Sequence, residues 1–143
     1  MEVKEIMNTD VKTVGDETSI QEAAEVMTKY RIGCLIVISG NKLLGIITER
    51  DVLEKVVAKN LPASTTKVKV IMTKKVYMVE PDMEIAEAAE LMIKQNIKKL
   101  PVVKGNKLIG IITATDICSV EPKMLEDLGK LLMIPGKRQM MAG

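Results

Sequence analysis

The sequence predicts an α+β fold built from two copies of one unit, and three observations lead to this prediction. Residues 3–53 align without a gap with residues 68–118 at an offset of 65 positions, and 25 of the 51 aligned pairs are identical. Within each copy, a stretch with helical hydrophobic spacing is followed by short apolar runs typical of strands. Each copy then contains Gly-Ile-Ile-Thr-x-x-Asp, where a strand should give way to a helix. This duplication indicates two pseudo-symmetric βαββα units.

The first half of each unit is predicted to be a short turn, an extended segment and a helix. In the first copy the turn falls at 3–7 and the extended segment at 11–14, and their counterparts fall at 68–72 and 76–79. The first helix has two candidate N-caps, Thr18 and Ser19. Its apolar stripe recurs in the second copy after Pro81-Asp82; the stripe residues are Ile20, Ala23, Ala24 and Met27, then Ile85, Ala88, Ala89 and Met92.

The second half of each unit is predicted to be a β-hairpin followed by a helix. Apolar runs at 34–38 and 43–47 flank Gly40-Asn41, a dipeptide typical of tight hairpin turns. The second copy repeats this pattern with runs at 100–103 and 108–112 around Gly105-Asn106. The helix after the first hairpin is predicted over 48–58, and its counterpart starts at Thr113 and is interrupted by Pro122.

A further helix is predicted near the C-terminus from the apolar stripe Met124, Leu125, Leu128, Leu131 and Leu132. We expect this helix to end at Pro135-Gly136, with a frayed tail at 137–143. The predicted organisation is therefore repeat 1 at 1–58, a linker at 59–67, repeat 2 at 68–121, and the C-terminal helix and tail at 122–143.

The composition narrows the range of functions. The net charge is only +2, and the chain has no Phe, no Trp and two Tyr, so the basic patch and stacking platform of a nucleic-acid-binding protein are not expected. The lack of histidine removes the commonest general base and metal ligand, so we predict neither an enzyme nor a metal site. Cys34 and Cys118 lie singly in apolar runs and are predicted to be reduced core thiols, which favours the cytoplasm. The N-terminus lacks a signal segment, and no apolar run is long enough to span a membrane.

The Thr-x-x-Asp corner of each copy has two interpretations. Thr48 with Asp51, and Thr113 with Asp116, have the spacing of a capping box at the start of a helix. The same corner lies at the end of a strand and the beginning of a helix, where backbone N–H groups attract phosphate. A carboxylate there can accept hydrogen bonds from both ribose hydroxyls, and Arg50 can meet a phosphate. Capping and ligand binding are not exclusive, so both remain open.

The Ile-Met start, the Glu-Ala-Ala-Glu helix and the Gly-Ile-Ile-Thr-x-x-Asp corner together resemble a tandem pair of CBS (cystathionine β-synthase-type) domains over about residues 3–120. The resemblance implies two βαββα repeats packed sheet to sheet, with clefts between them that bind adenosine-containing ligands. AMP, ADP and ATP are the first candidates, and S-adenosylmethionine or an NAD-type ligand comes second. The resemblance also implies a homodimer.

The resemblance implies a role for particular residues. Asp51 and Asp116 would hold ribose hydroxyls, and Thr48 and Thr113 would face the α-phosphate. Arg50 and Thr115 lie inside the two corners. Further ligand contacts are expected from Thr13, Val14, Met78 and Val79 beside the adenine, and from Gly33, Cys34, Leu35, Lys98, Lys99, Leu100 and Pro101 in the cleft wall. The first copy lacks the basic pair of the second, and Met78 stands where the family often has Thr.

Two functions follow from these patterns. The first is a non-catalytic regulatory module whose adenosine ligand changes the conformation seen by a regulated protein on a separate polypeptide. The alternative is a structural dimerisation module with vestigial, empty clefts, in which Thr48 and Asp51 only cap a helix. The sequence leaves open the identity of the ligand, the number of occupied clefts, the partner and the arrangement of the dimer.

Overall fold

The computed structural model describes residues 1–133 and confirms a mixed α+β architecture with an internal repeat. The chain divides into two compact units. The first-repeat unit is Lys12–Val76, and the second-repeat unit combines Met1–Val11 with the chain from Tyr77 onward. The predicted helix end at Pro135-Gly136 and the predicted tail at 137–143 lie outside the described residues.

The first-repeat unit contains three paired strands and its helices. Its elements are β1 (Thr13–Gly15), α1 (Ile20–Tyr30), β2 (Cys34–Ser39), β3 (Lys42–Thr48), α2 (Glu49–Val52), a π-helical stretch (Leu53–Val57) and α3 (Val68–Ile71). Strand β2 pairs in parallel with β1 and antiparallel with β3. Of the two candidate caps for α1, the structure uses Ser19, whose hydroxyl accepts from the N–H of Glu22 at 3.1 Å.

The second-repeat unit repeats this pattern and adds a C-terminal helix. Its elements are a 3₁₀ turn (Val3–Glu5), α4 (Ile85–Gln95), β4 (Lys99–Lys104), β5 (Lys107–Thr113), α5 (Ala114–Val120), a second 3₁₀ turn (Pro122–Met124) and α6 (Leu125–Met133). Both predicted hairpins are confirmed, with Ser39 opposite Lys42 and Lys104 opposite Lys107. No helix within the described part of the chain is both long and apolar enough to cross a lipid bilayer.

The extended segment predicted at 76–79 does not form a strand like β1. Its only pairing among the described residues is a single parallel bridge between Val79 and Val102. In β1, the pairs Thr13–Ile36 and Gly15–Ile38 lie on either side of the Val14–Val37 pair. The equivalent pairs beside Val79–Val102 would need backbone N–H groups from Pro101 and Pro81, and proline has no N–H group. The prolines therefore reduce the counterpart of β1 to one bridge.

The compact units and the sequence repeats have different boundaries. The first segment of each repeat belongs to the unit that holds the body of the other repeat. The N–H of Val3 donates to the carbonyl of Met83 at 2.8 Å, and the N–H of Val68 donates to the carbonyl of Thr18 at 2.8 Å. Both valines are fully buried, so this exchange of first segments completes each hydrophobic core.

Each unit has its own aliphatic core. The second-repeat core includes Leu128 of α6, which is fully buried. The cysteines differ from the prediction of core thiols, because Cys34 and Cys118 are both free but only half-buried. Cys34 begins a strand and Cys118 lies on α5, and both positions are only partly covered.

The glycine of the repeated motif allows a segment from elsewhere in the same unit to lie directly on a strand. We call this the returning segment; it follows α3 in the first-repeat unit and the first 3₁₀ turn in the second-repeat unit. A Cβ atom on Gly45 would lie 2.8 Å from Sδ of Met72 and 2.8 Å from the carbonyl oxygen of Thr73. Ile46 and Thr73 exchange backbone hydrogen bonds of 2.9 and 2.8 Å at this crossing. The second-repeat unit has the same crossing, where a Cβ on Gly110 would lie 2.7 Å from Sδ of Met7 and 3.1 Å from the carbonyl oxygen of Asn8. Glycine is therefore needed for close approach at both positions.

We expect Gly45→Ala and Gly110→Ala each to lower the free energy of unfolding by about 1–3 kcal/mol, because the added methyl group meets backbone as well as side-chain atoms. Urea denaturation measures the change. Gly15→Ala is the control, because its added Cβ would meet nothing nearer than Oγ1 of Thr18 at 3.8 Å. Equal stability of the three variants would contradict the close-approach explanation.

The carboxylate of Glu17 holds the start of α3 to the turn before α1. It forms ion pairs with Lys67, the residue before α3, and with Lys69 in α3. The hydrogen bonds from Lys67 and then Lys69 lower the pKa of Glu17 from its ordinary value of 4.5 to about 2. The pairs are exposed, so their contribution to stability should be small and sensitive to salt.

The lowered pKa of Glu17 predicts a pH dependence of stability. The stabilisation is fully present above pH 4.5, the ordinary value, and is lost as the pH falls towards about 2. We expect wild type to exceed Glu17→Gln in urea midpoint at pH 7 and low salt, and the difference to shrink across that window. Glu25→Gln, at an exposed position on α1, is the control. A difference that does not change between pH 7 and pH 3 would refute the assignment.

Candidate functional site

The Thr-x-x-Asp corner is a capping box in both units. In the first-repeat unit, Oγ1 of Thr48 accepts from the N–H of Asp51 at 3.0 Å, and Oδ2 of Asp51 accepts from the N–H of Thr48 at 3.0 Å. Thr113 and Asp116 make the same two bonds at 3.1 and 3.0 Å. The capping interpretation is therefore correct for both copies. Each cap fixes the direction of its aspartate side chain.

The first corner has further partners for its carboxylate. Oδ1 of Asp51 lies 3.0 Å from Nζ of Lys55, one helical turn later. The hydroxyl of Thr73 donates towards the two carboxylate oxygens at 3.3 and 3.4 Å. Nζ of Lys55 also donates to the carbonyl of Ile71 at 3.0 Å. As a result the side chain of Asp51 is only 4% exposed, and protein groups already contact both of its oxygens.

The second corner leaves its carboxylate more open. Asp116 is half-buried, and the N–H of Thr113 is the one hydrogen-bond donor to its carboxylate among residues 1–133. The position equivalent to Lys55 is Val120, which is 39% exposed. The position equivalent to Thr73 is Asn8, whose Oδ1 accepts from the N–H of Asp10 at 2.9 Å. Oδ1 of Asp116 therefore faces no described polar partner.

Several residues that were predicted to contact a ligand lie at the strand ends next to these corners. Cys34 is directly opposite Thr48 in the β2–β3 pair, and Thr13 pairs with Ile36 on the other side of β2. In the second-repeat unit, Lys99 is directly opposite Thr113. Each unit thus brings the start of one strand next to its own corner.

Other predicted residues point into the cores. These residues are at most 7% exposed, so a ligand could reach little of them; they are Val14, Leu35, Val79 and Leu100. Pro101 is also buried, whereas Met78 is 42% exposed.

The backbone around Gly33 and Lys98 is fixed to the corners, because their carbonyls accept from the N–H groups of Glu49 and Ala114 at 2.9 and 2.8 Å.

The charged residues differ between the two corners. Nε of Arg50 lies 2.8 Å from Oε1 of Glu54, without the alignment of a hydrogen bond, and Glu49 lies against Gly33. In the second-repeat unit Ala114 replaces Glu49 and the exposed Thr115 replaces Arg50. Lys98 and Lys99 stand where the first-repeat unit has Gly33 and Cys34. The second corner therefore has two nearby cations and no acid at the Glu49 position.

The described residues line two hollows, and one of them borders the first corner through Glu49. One, of about 470 Å³, is lined by Lys4, Met7, Glu80, Pro81, Asp82, Lys104, Gly105 and Ile109 at the hairpin end of β4 and β5. The other, of about 530 Å³, lies between α1 and α2 and is lined by Ala24, Met27, Thr28, Arg31, Ile32, Gly33, Glu49 and Val52. Neither lining includes Thr113 or Asp116.

The sequence analysis did not identify Lys55 and Thr73 as partners of Asp51. Lys55 could have been suspected, because a lysine four residues after an aspartate lies on the same helical face. Thr73 is 22 positions away and reaches Asp51 only through the crossing at Gly45, for which no local pattern exists.

Both halves of the chain are similar to a known domain family. The sequence model of the CBS domain matches residues 3–58 and 68–123. An uncharacterized protein of Methanopyrus kandleri is 38% identical over 125 residues, which are 86% of this chain and 64% of that protein. Inosine-5'-monophosphate dehydrogenase of Methanocaldococcus jannaschii is 44% identical over 115 residues, but this chain spans only 22% of its length.

Solved structures show the same fold. A protein with CBS domains from Burkholderia ambifaria has a TM-score of 0.73 and 35% identity, covering 85% of this chain and 95% of that one. The CBS domain pair of protein MJ0100, solved with 5'-methylthioadenosine and S-adenosyl-L-methionine, has a TM-score of 0.71 and 32% identity, covering 86% of this chain and 97% of that one. Because both halves match the same domain and the shared fold extends over most of the chain, the protein belongs to the CBS-domain family and contains two CBS domains in tandem.

Proposed function

We propose that the protein is a non-catalytic regulatory module that binds an adenosine-containing ligand, with the carboxylate of Asp116 as the acceptor for the ribose hydroxyls. The observation that carries this proposal is the open Oδ1 of Asp116 beside its capped Oδ2. A fixed carboxylate with a vacant oxygen is a suitable acceptor for a vicinal diol, since an ionised carboxylate only accepts hydrogen bonds.

The surroundings of Asp116 support a ligand that carries phosphate. Lys99 is exposed and lies opposite Thr113 across the β4–β5 pair. The carbonyl of Lys98 is bonded to the first residue of α5, which keeps this basic pair beside the corner. AMP, ADP and ATP are therefore our first candidates. The methylthioadenosine and S-adenosyl-L-methionine bound by the related MJ0100 pair are the second.

A structural dimerisation module is the second candidate, and exposed apolar side chains favour it. Tyr30, Leu53, Val57 and Leu61 of the first-repeat unit are between 41% and 64% exposed. A second copy of the chain could cover these residues. Binding and self-association are compatible, so the two candidates differ only in whether a ligand binds.

We expect Asp116→Ala to weaken binding of the adenosine ligand about tenfold or more, because a hydrogen bond to a charged group contributes roughly 1.5–3 kcal/mol. A thermal-shift panel of AMP, ADP, ATP, methylthioadenosine and S-adenosylmethionine first identifies the ligand, since a ligand that binds the folded state raises Tm. Calorimetry then gives Kd for wild type and variant.

The control for Asp116→Ala is Asp127→Ala, which removes an exposed aspartate from α6. It should bind the ligand as wild type does. No thermal shift with any compound at millimolar concentration would favour the structural candidate. An unchanged Kd in a folded Asp116→Ala variant would disprove the role of this carboxylate.

We expect Lys99→Ala to weaken AMP binding about twofold to fivefold at low salt, the range for an exposed ion pair, and less at high salt. Methylthioadenosine has no phosphate and serves as the matched control ligand, so its Kd should not change. Equal weakening of both ligands would show that Lys99 affects the shape of the site and not the phosphate.

A further inference from the structure

We propose that Lys55 is an internal competitor that closes the corner of the first-repeat unit, so that each chain binds one adenosine ligand, at Asp116. This inference rests on the proposed function and extends it to the number of sites. The Thr-x-x-Asp motif alone predicts two equivalent corners, whereas the contacts of the two aspartates are different.

Three protein groups already contact the Asp51 carboxylate. Oδ2 accepts from the N–H of Thr48, the hydroxyl of Thr73 lies within 3.4 Å of both oxygens, and Nζ of Lys55 lies 3.0 Å from Oδ1. A ribose diol would need two acceptor positions on the same carboxylate. It would have to displace a cation from a carboxylate that is only 4% exposed. Losing a charge-assisted contact of this kind disfavours binding.

Lys55 is held in this position from two sides. Its Nζ donates to the carbonyl of Ile71, the last residue of α3, in addition to its contact with Asp51. Lys55 also lies within the π-helical stretch Leu53–Val57, which has no counterpart in α5. Single π-helical turns occur frequently at functional sites. The ammonium group thus joins α2, α3 and the corner.

The second-repeat unit provides an internal comparison at the same backbone positions. Val120 replaces Lys55 and has no charge to offer Asp116. Asn8 replaces Thr73, and its side-chain oxygen is bonded to the N–H of Asp10. Among the cations near this corner, Lys99 lies on the strand side, opposite Thr113. The same motif is therefore closed in one unit and open in the other.

The test is the stoichiometry of binding, measured by calorimetry with AMP and, in parallel, with S-adenosylmethionine. We expect one ligand per chain for wild type and two for Lys55→Val, which copies Val120. Lys55→Met keeps the methylene stem and should also give two, so the test does not depend on the folding of one variant. Lys59→Val removes an exposed lysine two residues beyond the π-helical stretch and should give one.

A double variant assigns the new site. Lys55→Val with Asp116→Ala should bind one ligand per chain, now at Asp51, whereas Asp116→Ala alone should lose at least about tenfold in affinity. Two ligands per wild-type chain, or one per chain in folded Lys55→Val and Lys55→Met, would overturn the inference while leaving the proposed function intact. No thermal shift with any compound of the panel, together with no heat of binding in any variant, would overturn both.

Discussion

The interaction on which each corner depends is the reciprocal pair of hydrogen bonds between a threonine and the aspartate three residues later. The pair starts the helix after the hairpin and fixes the rotamer of the aspartate at the same time. One carboxylate oxygen is committed to the cap in both units. The chemistry of the corner therefore depends on what meets the other oxygen.

The glycine crossing determines part of that environment. Because Gly45 and Gly110 have no side chain, the segments Met72-Thr73 and Met7-Asn8 can bond directly to the next strand residue. The crossing brings a residue from the start of one repeat to the corner that ends the other repeat. The backbone crossing is thus the same in both units, while the side chain that it brings to the corner is Thr73 in one and Asn8 in the other.

The sequence was sufficient for elements that depend on local patterns. The hairpins followed from Gly-Asn between β-branched runs, and the capping boxes followed from spacing alone. It was insufficient where one residue acts on a distant partner. The counterpart of β1 is reduced to one bridge because Pro101 and Pro81 cannot donate the N–H groups that the other bridges need. Predicting this reduction required knowledge of which residues pair across the two segments. Val3 lies in the second-repeat core, and Thr73 contacts Asp51, because the chain brings together residues that are far apart in sequence. Hydrophobic periodicity in the sequence cannot predict such contacts.

The capping role explains why the motif by itself does not identify a binding site. In both units the threonine and the aspartate cap the helix, so the motif has a structural role in each unit whether or not a ligand binds there. The two corners differ in residues outside the motif, namely position 55 or 120 one turn along the helix and position 73 or 8 at the crossing. In the first-repeat unit these residues add a cation and a hydroxyl to Asp51, and in the second-repeat unit they add neither to Asp116. The two corners of this protein therefore differ in how the second carboxylate oxygen is satisfied, and the proposed difference in binding rests on that contrast.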